Sequence, residues 1–416
     1  MVRFFMLRSF RLFYRSLYLN RVAPMLIIFS ALYLFSSNSQ AEQQTFSQCL
    51  SELKTYADQQ GVSESSQQLI NNFKYQANII QLDRNQPEFM QTFPAYFNKR
   101  VNDWRINKGR SMYSENKQFL AELTAQYGIP GHYLIAFWGL ETNYGGYKGD
   151  TSTLDALATL ACDKRRKTFF TQELMFALKL VDRENLQPSS MQGSWAGAMG
   201  HTQFMPSTYT QYAIDGDGDG KINLWDSEQD ALASAANFLK RLGWQPGLRW
   251  GREVKLPEGF DYSLAGKANK RTINDWRELG VIKVNDEQLS NSDIQAILHI
   301  PAGHTGPIFL SYPNFRTIMR WNNSEFYAIA VGHLADRIIN RAPLSVKLPD
   351  LAPIPRKQIK AMQLALAQHG YKVGGADGIM GPATRAGLRA FQREQGLIAD
   401  GFPSTEVRRQ LGLKTD

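Results

Sequence analysis

Apolar and polar positions recur along much of this chain at the 3.6-residue period of helices. Phe46 to Gln59 and Glu64 to Asn72 show that spacing, and Ser114 to Tyr127 continues it until Gly128-Ile129-Pro130-Gly131 breaks the pattern. His132 to Leu140 reads differently. It is a dense apolar run with several aromatics, the pattern of a buried helix, and it ends at Glu141. Ala231, Leu232, Ala235, Phe238, Leu239 and Leu242 form the apolar stripe of a later helix, with Ser227 or Asp226 available as its cap and Gly243 as its stop. Between 245 and 312 short strand-like pieces, Glu253 to Leu256 and Ile297 to Ile300, alternate with Gly and Pro turns, which predicts a smaller α+β lobe. The expected fold class is therefore mainly α.

The C-terminal part separates from this body. Residues 341–356 contain Pro343, Pro349, Pro353 and Pro355 with few helix formers, the composition of a semi-rigid linker. Beyond it, Lys357 to His369, Pro382 to Gln395 and Thr405 to Leu411 predict a three-helix module of 357–416. At the other end, Arg3, Arg8, Arg11, Arg15 and Arg21 precede the apolar run Val22 to Phe35, and Ser39-Gln40-Ala41 resembles a cleavage site. Residues 1–41 thus read as a signal peptide, and 42–340 as the main domain. A run this short is below the roughly 20 apolar residues of a spanning helix. With Phe4 to Leu19 included it would serve as an uncleaved anchor, and no Cys near the site supports a lipid anchor.

Composition adds limits. The chain has 416 residues, 43% of them hydrophobic, enough for more than one domain. Its formal charge is +9, and the five arginines before residue 42 leave 9 − 5 = +4, which suits an anionic wall polymer and does not indicate nucleic acid. Only Cys49 and Cys162 occur, and two readings stand: a disulfide formed after export, or two buried thiols.

Asp215 to Asp226 fits a twelve-residue calcium loop. Asp215, Asp217 and Asp219 would offer side-chain oxygens, Lys221 its carbonyl, Asn223 a direct or water-bridged contact and Asp226 the closing carboxylate, while Gly220 makes the sharp bend. The closing position is Asp where Glu usually stands, and Asp-Gly pairs also make ordinary tight turns. Calcium, in a structural role and with no organic cofactor, is the expectation. Glu141 is the other chemical candidate. A carboxyl ending a buried helix is poorly solvated, which favours its neutral form and suits it to general acid work. From the apolar run alone, a glutamate facing water is equally compatible.

Three motifs shift that balance. Gly139-Leu140-Glu141-Thr142-Asn143-Tyr144-Gly145, Asp163-Lys164-Arg165-Arg166-Lys167-Thr168-Phe169-Phe170 and Gly193-Ser194-Trp195-Ala196-Gly197-Ala198-Met199-Gly200-His201-Thr202-Gln203-Phe204-Met205-Pro206-Ser207 resemble, in order, the B-type family of membrane-bound lytic murein transglycosylases. The resemblance runs from about Phe46 to Arg341 and implies a lysozyme-like α domain with one catalytic Glu, which by position is Glu141. It implies cleavage of the β-1,4 bond between N-acetylmuramic acid and N-acetylglucosamine, with a 1,6-anhydromuramoyl end as product. Tyr96, Ser194, Gln203, Asn322 and Tyr327 are the substrate-binding positions so implied, and Trp321 stands where that family has Tyr. Asp377-Gly378-Ile379-Met380-Gly381-Pro382-Ala383-Thr384 with Ala390-Phe391-Gln392 resembles a peptidoglycan-binding domain.

Phe169, Phe170, Phe204 and Met205 read as core; Arg165 and Arg166 read as a contact for a peptide carboxylate or as a solvated basic face. Asp155, Asp163 and Glu173 are the acids to check for a second catalytic role. The expected partner is the peptidoglycan glycan strand, with cell-wall synthesis proteins as further candidates. A periplasmic monomer, soluble or loosely membrane-associated, completes the expectation. A hydrolytic muramidase and a non-catalytic wall-binding scaffold are the rival readings.

Overall fold

The structure, a computed structural model, describes residues 45–85 and 91–414; the expected signal peptide at 1–41 lies outside the described residues. Helix α1 (45–59), α2 (Glu64–Leu69) and α3 (Ala77–Asn85) lead into α4 (Phe93–Arg100), α5 (Asp103–Glu115), α6 (Lys117–Tyr127) and α7 (Gly131–Thr142). The single helix expected over Ser114 to Tyr127 is cut at Asn116, which ends α5 and starts α6. Strand β1 (Thr151–Ser152) pairs with β2 (Gln192–Gly193) around α8 (Thr153–Ala161) and α9 (Lys167–Arg183), and α10 (Pro206–Tyr212) and α11 (Glu228–Arg241) follow. Ser227, not Asp226, caps α11, accepting from the Asp230 N–H.

Two apolar clusters fill this body. One surrounds α7 with side chains of α4, α5, α11, α13 (Pro313–Trp321) and α14 (Glu325–Ile338); the other joins α1, α8, α9 and α10. Cys49 of α1 and Cys162, just after α8, form a disulfide, which decides between the two readings left by sequence. Cα atoms of the two stand 5.9 Å apart across a separation of 113 residues.

The lobe expected at 245–312 is a five-stranded antiparallel sheet in the order β4-β6-β7-β3-β5. Its strands are β3 (Gly251–Lys255), β4 (Arg271–Thr272), β5 (Ile282–Lys283), β6 (Gln295–His299) and β7 (Ile308–Ser311), with α12 (Ile273–Glu278) packing Trp276 into a separate core. Helices α15 (Arg356–Gln368), α16 (Pro382–Glu394) and α17 (Thr405–Gln410) form the C-terminal module around Met362, Leu366, Leu388 and Phe391.

The stretch before α15 is strapped to the rest of the molecule. Glu253 of β3 accepts the Ser345 and Val346 N–H groups at 2.8 and 3.1 Å, and the Leu351 carbonyl accepts from Thr92 at 3.4 Å. Prolines removed helix from this segment, while its leucines supplied apolar anchors that proline content alone does not reveal.

Candidate active site

Helix α7 is buried on nearly every side from Tyr133 to Leu140, so its C-terminal end emerges at one defined place. Asn143 and Tyr144 then turn the chain with φ of 53° and 61°. Left-handed backbone at non-glycine residues costs about 1–3 kcal/mol each and persists only where the surroundings impose it. Arg105, itself only 6% exposed, imposes it. Its Nε donates to the Gly139 carbonyl at 3.0 Å, its Nη1 to the Lys99 and Arg100 carbonyls at 3.0 and 2.6 Å, and its Nη2 to the Asn143 side chain. In return the Tyr144 hydroxyl donates to the Arg105 carbonyl at 2.6 Å. Gly139 has to be glycine, because a Cβ there would lie 2.6 Å from the Tyr144 ring. On the far side, Thr142 donates to the His201 carbonyl at 2.8 Å and Trp138 Nε1 to His201 Nδ1 at 2.9 Å.

The carboxyl so aimed meets two donors on one oxygen. Tyr327 of α14 donates its hydroxyl to Glu141 Oε1 at 2.5 Å, and Trp321 at the end of α13 donates Nε1–H to the same atom at 2.9 Å. An indole N–H only donates, so Oε1 is held as an acceptor, and a neutral Glu141 carries its proton on Oε2. Burial pushes the Glu141 carboxyl above its ordinary value, and the bonds from Tyr327 and Trp321 and the charge of Arg100 partly oppose that. Tyr327 is pushed well above the usual phenol range by burial and by the Glu141 charge, so it stays a donor. Tyr96 is buried nearby and raised to about 12 by burial, with Arg100 opposing and Glu141 reinforcing. Trp321 also packs on Phe137, Phe238 and Phe204 with ring centroids 4.5, 5.2 and 5.4 Å away.

The remaining positions expected to contact sugar are placed unequally. Asn322, next to Trp321, is exposed. Ser194 is half-buried and its Oγ accepts from the Ala198 N–H at 3.1 Å, shaping the Gly-rich turn. Gln203, at φ 50°, spends its amide N–H groups on the Lys148 and Gly200 carbonyls at 2.9 and 3.0 Å. That leaves its Oε1 as the group available to a ligand.

The three other acids are committed elsewhere. Asp155 accepts the Lys74 N–H at 2.9 Å, Asp163 pairs with Arg84 at 2.8 Å, and buried Glu173 accepts from Ser207 Oγ and N at 2.7 and 2.9 Å. Arg165 and Arg166 follow neither expectation. Both pair with Asp83, whose side chain is 2% exposed, making an internal ion pair. Phe170 and Phe204 are core and Met205 packs against it, but Phe169 is 44% exposed. The reach of Arg105 and Arg100 to α7 left no local mark in the sequence, since the carbonyls of Gly139 and Leu140 that they bond lie 34 and 40 residues away.

In the calcium-type loop the carboxylate oxygens of Asp215, Asp217 and Asp230 lie within 4.8 Å of one another. Asp219 and Asp226 are outside that group; Asp226 instead accepts from the Asn223 amide at 3.1 Å. Asp230, 1% exposed in the first turn of α11, accepts the Gly216 and Asn223 N–H groups at 2.7 Å each. Burial raises its pKa above the ordinary value. Three carboxylates this close repel unless a cation joins them, and an all-oxygen set suits a hard divalent ion. Spacing points to Asp226, the twelfth residue of the loop, whereas Asp230, three residues after the Ser227 cap, reads by sequence as an ordinary first-turn acid.

The helical body presents Glu141 at the end of a buried helix and carries a small three-helix module at its C-terminal end, and each of these two parts matches a known family. Residues 45–336 match the family described as the transglycosylase SLT domain, and residues 355–411 match a putative peptidoglycan binding domain. The chain belongs to that transglycosylase family and is a peptidoglycan lytic transglycosylase by class. It is 35% identical over 249 residues to membrane-bound lytic murein transglycosylase B of Escherichia coli K12, a match spanning 58% of this chain and 66% of that protein, just under two thirds. Pseudomonas aeruginosa SltB3, solved in complex with NAG-NAM-pentapeptide, is similar at a TM-score of 0.85 and 40% identity, over 88% of this chain and 99% of that one. Escherichia coli Slt35, solved in complex with calcium, is similar at a TM-score of 0.60 and 31% identity, over 70% of this chain and 92% of that one.

Proposed function

We propose that this protein cleaves the β-1,4 bond between N-acetylmuramic acid and N-acetylglucosamine in peptidoglycan, with Glu141 acting first as acid and then as base. The convergence of Trp321 and Tyr327 on Oε1 carries the reading, because it leaves a single proton-bearing oxygen, Oε2, for the reaction. Oε2–H donates to the glycosidic oxygen as the bond from the anomeric carbon breaks. The resulting carboxylate takes the proton of the muramoyl 6-hydroxyl, whose oxygen closes on the anomeric carbon to give the 1,6-anhydro ring. No water is consumed, and Glu141 ends protonated. A hydrolase of the usual kind needs a second carboxylate for base or nucleophile. The engagement of Asp155, Asp163 and Glu173 elsewhere supports a mechanism without one.

Tyr96, Ser194, Gln203 and Asn322 are proposed to hold the sugars around the scissile bond. Calcium would be held by Asp215, Asp217 and Asp230, with Asp219 and the Lys221 carbonyl as further oxygens, and would brace the loop that enters α11. The catalytic domain is read as 42–340 and the wall-binding module as 357–416. A periplasmic site of action follows from the substrate; among the described residues no helix is long and apolar enough to cross a membrane.

Mass spectrometry of purified wall digested by the protein tests the reaction. Anhydro-muropeptides from the wild type and none from Glu141→Gln are expected. Hydrated reducing ends would establish a muramidase instead, and no soluble fragments from either form would leave a binding scaffold.

A further inference from the structure

The C-terminal module docks on the α+β lobe. α16 packs on the turn at Tyr262–Leu264, and His304 contacts Asp400 Oδ2 through its backbone N–H at 3.0 Å and its Nδ1 at 2.8 Å. Gly303 fits so closely that a Cβ would stand 3.0 Å from the Phe402 ring. Beside this contact the two bodies part to form a cleft of about 860 Å³, which reaches the first turns of α4 and α14.

Charge in that cleft is one-sided. Arg385, Arg389 and Arg393 line it from one face of α16, at i, i+4 and i+8, and Lys267 faces in from the lobe. Glu325 is the one carboxylate of the lining, so these groups sum to 4 − 1 = +3. Glu325 is already engaged, accepting from His299 Nδ1 at 3.1 Å. Asp400, behind the cleft, is taken by His304, Gln392 and the Phe402 N–H. Among the described residues none of the four cations stands within 4 Å of a carboxylate, although Glu325 acts on Arg385 and Arg389, and Asp261 on Arg393, at longer range, and Arg389 Nε is buried with no hydrogen-bond acceptor. Desolvation, and then the charge of Arg385, lower the Arg389 pKa. Like charges at i, i+4 each oppose the helix by roughly 0.2–0.5 kcal/mol, so packing does not explain the row. An anion in the cleft does. Ile300, Ile354, Ile359 and Met380 give the rest of the lining an apolar stretch beside polar groups such as Asn269 and Asn323.

We propose that this cleft binds the peptide stem of peptidoglycan, its carboxylates held by Arg385, Arg389, Arg393 and Lys267 and its small aliphatic side chains lying on the isoleucine wall. A peptide with several carboxylates and short apolar side chains matches both halves of the lining. The proposal rests on the peptidoglycan reading above, but it places the stem at a site distinct from Glu141. Glu325, which lines the cleft, lies two residues before Tyr327, so an occupied cleft bears on the same helix start that holds the catalytic acid.

Titration calorimetry of the full chain with the free stem pentapeptide, which has no glycosidic bond to cut, tests the site. Binding is expected for the wild type, with at least a tenfold loss in Arg385→Gln/Arg393→Gln and a similar loss when the peptide carboxylates are amidated. Affinity for a sugar-only N-acetylglucosamine tetrasaccharide should be equal in both proteins, which also reports an intact fold. Arg389 is left in place because it packs against Gly401. Equal peptide affinity in wild type and variant, no peptide binding, or full competition by acetate at matched concentration would overturn the proposal. The product masses read Glu141 independently, so a failed stem site and a failed reaction give different results.

Discussion

Replacing Trp321 with Phe removes one N–H from the Glu141 carboxyl, the proposed catalytic acid, and keeps most of the aromatic packing, since the neighbouring rings of Phe137, Phe204 and Phe238 contact the ring system itself. A hydrogen bond to a charged acceptor contributes about 1.5–3 kcal/mol, one between neutral groups about 0.5–1.5. The indole therefore favours the carboxylate over the neutral acid by about 1 kcal/mol. Glu141 gains negative charge as it protonates the leaving oxygen, so losing the donor raises the barrier by a similar amount, about five- to tenfold in kcat. The sign of the pH effect is independent. Trp321 lowers a pKa that burial has raised, so its removal raises that pKa further and carries the alkaline limb of kcat/KM to higher pH. The assay is release of anhydro-muropeptides from purified wall across pH, with melting temperature followed in parallel. A fall in kcat with an unmoved alkaline limb would mean that the indole only fills space, and the single-oxygen argument would go with it. Tyr327→Phe should move the limb the same way, and the double variant should show less than the summed effect because both donors share Oε1.

Glu141→Gln should melt no lower than wild type at neutral pH: a carboxyl whose folded pKa is raised stabilises the fold below its ordinary 4.5 and loses that contribution as pH rises through the folded value, so the gap should close in acid. Chelator should lower the melting temperature of the wild type and of Asp226→Asn but not shift that of Asp230→Asn, and chelator dependence retained in Asp230→Asn would remove that residue from the metal site. Cys49→Ser/Cys162→Ser opens a loop spanning 113 residues, for which chain entropy gives about 4–5 kcal/mol, so chemical denaturation should show a loss of that order with cleavage retained at low temperature. Arg105→Lys keeps the charge at the C-terminal end of α7 but cannot reach four acceptors at once, and should cost about tenfold or more in kcat with KM little changed; an unaltered kcat would show that Asn143 and Tyr144 hold their turn without it.

How far the sequence disclosed this molecule depended on the range of the interactions. The apolar run into Glu141, the Ser227 cap, the helices of the module and the strands of the lobe are set by neighbours a few residues away, and periodicity or capping chemistry exposed them. Glu141 and Tyr327 were named through motif resemblance, whereas the role of Trp321 was visible only as a departure from pattern. What stayed hidden was long-range. The Arg165 and Arg166 pairing with Asp83 crosses about 80 residues, and the Arg105 clasp on α7 joins groups that nothing local connects. Asp230 differs in kind: it stands in the first turn of α11, which sequence reads as ordinary capping chemistry, and its nearness to Asp215 and Asp217 appears only in the fold.

The geometry also bears on why one acid would be enough for the proposed reaction. A carboxyl that must donate and then accept a proton needs both forms within reach, and opposing influences act on it here. Burial favours the acid, while Tyr327, Trp321 and Arg100 favour the anion. Adding a second carboxylate beside it would push the first further toward the acid and leave it a poor donor to the leaving oxygen. The backbone fixes the remaining freedom: Asn143 and Tyr144 hold a turn they would not adopt alone, and Arg105 clamps it. On the proposed mechanism Oε2 would thereby be held in one place for both proton transfers, which is the condition for a nucleophile carried by the sugar itself to outrun water.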